Sequence, residues 1–296
     1  MLNDMENYKE IKNSEGFEEK FAKKKTIEVL DAKLEAIDVK PDFLKTETPI
    51  LFAPGWGGTL EAYKDSIETL YEKNRRVLSL THARKGADKK LMDSELKKQY
   101  PADELRKSMA LLALIDEGNI EKVDAVAHSE GAINTAIAAS LRPEKFRNIV
   151  FVNPAGLIGP DKFPKLAGRF NLNGIQTFFD AIFNKEELKR IRLQRLTKEV
   201  IKYISQNPAR ALKESVAISQ SEIYAMLEDL HDEGIGIFIV NGVGDPVFPM
   251  DKMQKILKAD KIDGFLSVKG GHNEIISNPE KYAAAAEEVL DKAEKK

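Results

Sequence analysis

The chain has 296 residues, 42% of them hydrophobic and 32% charged, and a net charge of −2. A chain of that size buries roughly three quarters of its unfolded surface, as one large domain or a domain with an insertion, and needs no staples. The absence of cysteine excludes disulfides, thiolate metal sites and a cysteine nucleophile and fits a reducing, cytoplasmic setting. The near-neutral charge gives no electrostatic case for nucleic acid.

Residues 1–25 read as a polar arm or leading helix, without the basic and apolar regions of a signal peptide. No run of about 18 apolar residues exists, so no transmembrane segment is expected. Thr26 to Val39 partly alternates apolar and charged residues, the pattern of half-exposed strands at a sheet edge. Pro49 to Ala53 and Arg76 to Leu80 are continuous apolar runs, as expected of strands buried on both faces. Between them, Tyr63, Ile67, Leu70 and Tyr71 have helical spacing. Thr81 to Tyr100 is a long polar connection, and Pro101 to Glu117 is a helix with Leu105, Met109, Leu112 and Ile115 on one stripe.

Val123 to His128 is a further apolar strand, and a helix of small residues follows it from Ala132. Phe146 to Val152 is the next strand, closed by Asn153-Pro154-Ala155-Gly156. Strand and helix have alternated to this point, which argues for an α/β fold: a mostly parallel sheet with helices on both faces. Residues 157–233 break the alternation with three successive helical segments and read as a helical cap inserted into a core of residues 26–156 and 234–296. In that block Ile175, Phe178, Phe179, Ile182 and Phe183 form an apolar stripe. Asn184 with Glu187 resembles a capping pair, and Pro208 opens the third segment. The run Lys189 to Arg195 is basic, a pattern of solvated helix faces and, less often, of anion or lipid-headgroup sites. Strands resume at Ile235 to Val240 and Gly264 to Val268, and a last helix opens at Asn278-Pro279.

The chemistry centres on Ala127-His128-Ser129-Glu130-Gly131, at the turn from an apolar strand into a small-residue helix. Small residues two before and two after the serine are what a tight, strained nucleophile elbow requires; the simpler reading is an N-cap serine. A serine nucleophile needs a base and a carboxylate to orient that base. Of the four histidines, His272 lies in the glycine-rich loop Lys269 to Asn273 after the last strand. His128 adjoins the serine and is expected to pack, His231 to be solvated, and His82, just past a strand, is a candidate for the pocket. Asp245, in Gly242-Val243-Gly244-Asp245-Pro246, closes another strand; the alternative is a plain turn aspartate. The order Ser129, Asp245, His272, each beyond a strand, matches one triad architecture.

With these residues the chain resembles the α/β-hydrolase family over nearly all of residues 26–296. The elbow A-H-S-E-G is similar to its Ala-for-Gly variant. Gly242 to Pro249 is similar to its acid loop, Gly271-His272 to its late G-H pair, and Pro54-Gly55-Trp56-Gly57-Gly58 to its oxyanion loop, with Pro54 in place of the usual histidine. The resemblance implies a Ser129–His272–Asp245 triad, an oxyanion hole made by the backbone N–H groups of Trp56 and Glu130, and hydrolysis of small carboxylic esters without cofactor or metal. Acyl transfer to another acceptor, thioester cleavage, C–C bond hydrolysis and a non-catalytic homologue are the other readings. Phe178, Phe179 and Ile182 either line an acyl pocket or pack as core between cap and sheet.

Overall fold

A computed structural model of the chain describes residues 16–30, 32–82, 94–158, 163–253 and 261–294. In chain order the main elements are α1 (Phe17–Ala22), β1 (Lys25–Val29), β2 (Ala32–Val39), β3 (Ile50–Ala53), α2 (Lys64–Glu72), β4 (Val77–Leu80), α3 (Ser94–Gln99), α4 (Ala102–Glu117), β5 (Val123–His128), α5 (Glu130–Leu141) and β6 (Phe146–Val152). There follow α6 (Phe163–Phe183), α7 (Glu187–Gln206), α8 (Pro208–Gln220), α9 (Tyr224–Asp232), β7 (Gly236–Gly242), β8 (Gly264–Val268), α10 (Glu274–Ser277) and α11 (Pro279–Ala293). The eight strands form one sheet in the order β1-β2-β4-β3-β5-β6-β7-β8. β2 alone runs against its neighbours; every pairing from β4 to β8 is parallel.

Strand residues divide between two cores by simple alternation, because successive side chains point to opposite faces. Leu51, Ala53, Ala125, Ala127, Ile149 and Phe151 join α4, α5 and α9 on one side. Ile50, Phe52, Val126, Val150 and Val152 join α1, α2 and α11 on the other. Both faces are therefore covered, which is why these strands read as unbroken apolar runs. The alternation over Thr26 to Val39 resolves into a hairpin turned at Leu30 (φ 57°), in which β1 is the edge and β2 lies inside it, against β4.

Three details depart from the sequence pattern. α4 buries Glu104, Arg106 and Lys107 beside Leu105, Leu111 and Leu114, whereas Met109 and Leu112 are only half-buried. Arg106 and Lys107 are buried there because Glu130 on α5 and Glu214 on α8 meet them. Among the described residues the block between β6 and β7 holds four helices, where the sequence pattern predicts three. Asn184 does not cap α7: its Oδ1 accepts from the Glu186 N–H at 2.9 Å, a local turn that ends before the helix begins. Asn207 does cap α8, accepting from Arg210 N–H at 3.1 Å ahead of Pro208. The α6 stripe is not core. Ile175, Phe178, Phe179, Ile182 and Phe183 are 46–68% exposed.

Candidate active site

In a parallel sheet, ligand sites form beyond the carboxyl ends of strands, where neighbouring crossovers depart in opposite directions. β3 and β5 are such neighbours: β3 leads to β4 on one side and β5 to β6 on the other. The loop after β3 carries Trp56, and the turn after β5 carries Ser129. Ser129 sits at φ 53°, ψ −120°, a conformation that costs a non-glycine residue about 1–3 kcal/mol. Backbone bonds hold it: its N–H donates to Val152 O at 3.1 Å, and its carbonyl accepts from Ala132 and Ala155 at 3.0 and 3.1 Å. A Cβ at Gly131 would stand 2.4 Å from Ala53 O, so only glycine fits there.

The loops after β7 and β8 bring Asp245 and His272 to the serine. His272 Nε2 lies 3.0 Å from Ser129 Oγ, and His272 Nδ1 lies 2.8 Å from Asp245 Oδ2. All three residues are buried. The other carboxylate oxygen, Asp245 Oδ1, accepts the N–H groups of Val247 (2.7 Å) and Phe248 (3.0 Å). Burial alone would raise the Asp245 carboxyl, but the His272 ring and those two N–H donors outweigh it and hold it below its ordinary value. An ionised Asp245 fixes the hydrogen of His272 on Nδ1 and leaves Nε2 as an acceptor facing the serine.

His128 does more than pack. Its Nε2 is 3.0 Å from the His272 carbonyl oxygen, which can only accept, so Nε2 carries the hydrogen. Nδ1 is then an acceptor, and the Tyr63 O–H donates to it at 2.6 Å. The Tyr63 oxygen in turn accepts the Gly55 N–H at 3.1 Å. Burial, and after it the neighbouring His272 ring, pull the His128 imidazole down to about 3, which keeps this arrangement neutral. One chain of hydrogen bonds thus ties the loop after β3, the elbow and the loop after β8. Asn153, at φ 44°, adds a second tie. Its Nδ2 donates to His272 O at 3.0 Å and its Oδ1 accepts from Gly242 N–H at 2.7 Å. Sequence reasoning missed Tyr63 and Asn153. The one available signal was an Asn directly after a strand, a residue suited to positive φ. Tyr63→Phe strands a buried N–H and a buried ring nitrogen; we expect a loss of about 2 kcal/mol in denaturant unfolding, with the midpoint falling and the slope unchanged.

Among the described residues, neither the Trp56 nor the Glu130 backbone N–H has a hydrogen-bond acceptor. The Glu130 side chain points away into a buried ionic cluster. Lys107 Nζ is 2.5 Å from Glu130 and 3.3 Å from Glu214, Arg210 Nε is 3.3 Å from Glu214, and Tyr203 hydrogen-bonds Glu214. Burial alone would lower the Lys107 amine, but Glu130, Glu214 and Glu104 outweigh it and hold it well above its usual value. This cluster joins α4 and α5 to α7 and α8. The basic run on α7 does likewise: Arg192 meets Glu280 at 2.9 Å and Arg195 meets Asp65 at 2.6 Å.

Ser129 and His272 line a cavity of about 310 Å³ with Trp56, Phe170, Leu196 and Ile201. A second apolar cavity of about 630 Å³ shares Trp56, Phe170 and Phe178 with it. Of the residues expected in the pocket, Phe178 lines the cavity at Ser129. Phe179 lines only the second cavity, and Ile182 an outer groove with Lys198 and Ile201. His82 does not line the cavity at Ser129: it is buried beside a polar cleft with Thr59, Thr81 and Glu199 and borders a small cavity with Gly55, Lys107 and Glu130. His231 is partly exposed, 3.6 Å from Asp263. Among the described residues no cluster of three or more His, Asp or Glu is arranged to hold a metal, and no helix is long and apolar enough to cross a membrane.

Comparison with known proteins agrees with this architecture. The structure is similar to a putative aryl esterase from Burkholderia cenocepacia, with TM-score 0.67 and 14% identity over 93% of this chain and 100% of that one. It is similar to an esterase from Exiguobacterium antarcticum (TM-score 0.65, 13% identity, 91% and 98% covered) and to a bromoperoxidase from Bacillus anthracis (0.63, 17%, 90% and 99%). No curated protein matches the sequence. At these identities the likenesses establish the fold. Family membership rests on sequence: residues 48–197, half of the chain, match the family described as alpha/beta hydrolase fold, and the chain belongs to that family.

Proposed function

We propose that the chain is a serine hydrolase that cleaves carboxylic esters through an acyl-enzyme, with residues 157–233 as a cap over the site. Ser129 Oγ attacks the ester carbonyl carbon while His272 Nε2 takes its proton. The oxyanion is received by the N–H groups of Trp56 and Glu130, each such donor being worth roughly 3 kcal/mol. The tetrahedral species expels the alcohol, which leaves with the proton from His272. Water then attacks the acyl-enzyme, His272 takes a proton from it, and the acid departs as that proton returns to Ser129. Asp245 holds the imidazole in the required tautomer throughout.

The observation that carries this reading is the continuous relay from Ser129 through His272 to Asp245, 3.0 and 2.8 Å, on the wall of an apolar cavity. Esterases among the structurally similar proteins are consistent with the substrate class. The test is a fluorophosphonate label located by mass spectrometry, followed by p-nitrophenyl esters of rising chain length. The adduct is expected on Ser129 and absent from Ser129→Ala. Rates are expected to rise from acetyl to longer acyl chains, because a second apolar cavity adjoins the first and shares Trp56, Phe170 and Phe178 with it. A folded protein that takes no label would overturn the reading. Product diverted to an added alcohol or thiol would instead identify an acyltransferase.

A further inference from the structure

α6 is 21 residues long, and among its described side chains only Leu166 and Ala181 are buried. Leu172, Ile175, Phe179 and Phe183 follow one another at helical spacing and are 54–68% exposed, Ile175 and Phe179 at the rim of the second cavity. The Phe179 and Phe183 rings stack on each other at 6.1 Å. On α7, Leu188, Ile191, Ile201 and Ile204 are 40–66% exposed, and Leu212 on α8 is 57% exposed. Soluble surfaces tolerate single exposed apolar residues, but a contiguous group of this size marks a surface with a use.

The charge on the same helices says what covers it. Residues 163–220 contain eleven Lys or Arg and five Asp or Glu, a net of +6, of which Arg192, Arg195 and Arg210 are met by Glu280, Asp65 and Asp103 outside the segment. The whole chain carries −2, leaving −8 for the remainder. Lys165, Lys185, Lys198, Lys202 and Lys213 are exposed. Lys198 and Lys202 border the groove that Phe178, Ile182 and Ile201 line. Exposed aliphatic and aromatic side chains flanked by lysine are the composition of a helix that lies in a bilayer interface. A second copy meeting the same face would set two positive surfaces against each other, which disfavours self-association there.

We propose that α6 and α7 dock this protein on an anionic lipid bilayer, with the apolar stripe entering the acyl boundary and the lysines meeting the headgroups. Phe178 and Ile201 belong both to this face and to the cavity at Ser129, so a docked molecule opens its cavity towards the lipid. Docking depends only on this face, not on the proposed acyl chemistry.

The experiment is flotation with vesicles of phosphatidylcholine, with and without phosphatidylglycerol, run in parallel on the unaltered protein and on Ser129→Ala. Both proteins are expected to float with the phosphatidylglycerol vesicles and to be released by raised salt. Leu172→Asp with Phe183→Asp, neither of which lines the two apolar cavities near Ser129, should weaken partitioning roughly tenfold or more. Lys198→Glu with Lys202→Glu should do the same through charge alone. Both doubly substituted proteins should keep the native circular dichroism spectrum. Failure to float on anionic vesicles would overturn the proposal. So would equal binding to both vesicle types, or a dimer in light scattering that Leu172→Asp with Phe183→Asp dissociates.

Discussion

Asp245→Asn is expected to lower kcat about 10⁴-fold while leaving the fold and substrate binding nearly unchanged. The direction follows from the way the carboxylate is held. Val247 and Phe248 both point N–H groups at Oδ1, at 2.7 and 3.0 Å. In the asparagine variant that position accepts only the amide oxygen, because an NH₂ group there would face two donors. The NH₂ is therefore forced towards His272 Nδ1, where the wild-type oxygen lies at 2.8 Å. The imidazole must answer with a lone pair on Nδ1, which puts its hydrogen on Nε2, directed at Ser129 Oγ. A base with its acceptor site occupied cannot take the serine proton. The measurement is steady-state hydrolysis of a p-nitrophenyl ester across pH, with labelling by fluorophosphonate as a second readout. A loss below tenfold would mean that Asp245 does not set the tautomer. At neutral pH the wild-type aspartate stays ionised, since its folded value lies below the ordinary one; the stability this contributes is lost on acidification through that lower value.

The second large effect lies at the other end of β5, where Asp124→Ala is expected to cost about 3–5 kcal/mol. Asp124 is fully buried and accepts from Arg75 at 2.7 Å, from Arg147 at 2.5 and 2.9 Å, and from Asn148 at 2.9 Å. Arg75 is likewise fully buried. Without Asp124 it keeps only long contacts, to Glu287 and to the Thr48 carbonyl oxygen, each at 3.5 Å. Arg147 is partly exposed and can turn to water, so the penalty falls on Arg75. For a chain of this size the thermal midpoint should drop by roughly 10 °C. Replacing both partners, Arg75→Met with Asp124→Leu, should restore much of the loss, because the burial of an unmatched charge is removed as well. A midpoint unmoved by Asp124→Ala, read by calorimetry, would show that Arg75 finds another partner or water.

The elbow was legible because its requirements are steric. The closeness of Gly131 to Ala53 O admits no side chain, and that constraint is written in the sequence as a small residue at a fixed distance from Ser129. Asp245 and His272 were legible as loop residues after apolar strands, in an order that one architecture uses. Hydropathy failed wherever charge pairs are buried. Lys107 reads as a solvated position, yet it is 1% exposed because Glu130 and Glu214 reach it from other helices. The opposite error concerned α6, whose apolar spacing predicts a helix correctly but cannot say which medium the stripe faces. His82 lines a neighbouring cavity rather than the one at Ser129, because strand order is not sequence order: β4 follows β3 in the chain but lies beyond it in the sheet.

The hydrogen-bond chain from Gly55 to His272 bears on how this scaffold can be recombined. Its two outer links are main-chain groups, the Gly55 N–H and the His272 carbonyl, which do not depend on a particular side chain, although a Cβ at position 55 would stand 3.0 Å from the Tyr63 oxygen. Its two inner links are side chains, Tyr63 and His128, which lie 65 positions apart and whose mutual hydrogen bond needs both residues. A chimaera with a relative whose crossover falls between them inherits half of the pair and loses the tie, however well each fragment folds. Crossovers before residue 63 or after residue 128 keep the pair intact, so the segment from Tyr63 to His128 is the smallest piece of this protein that is best exchanged whole.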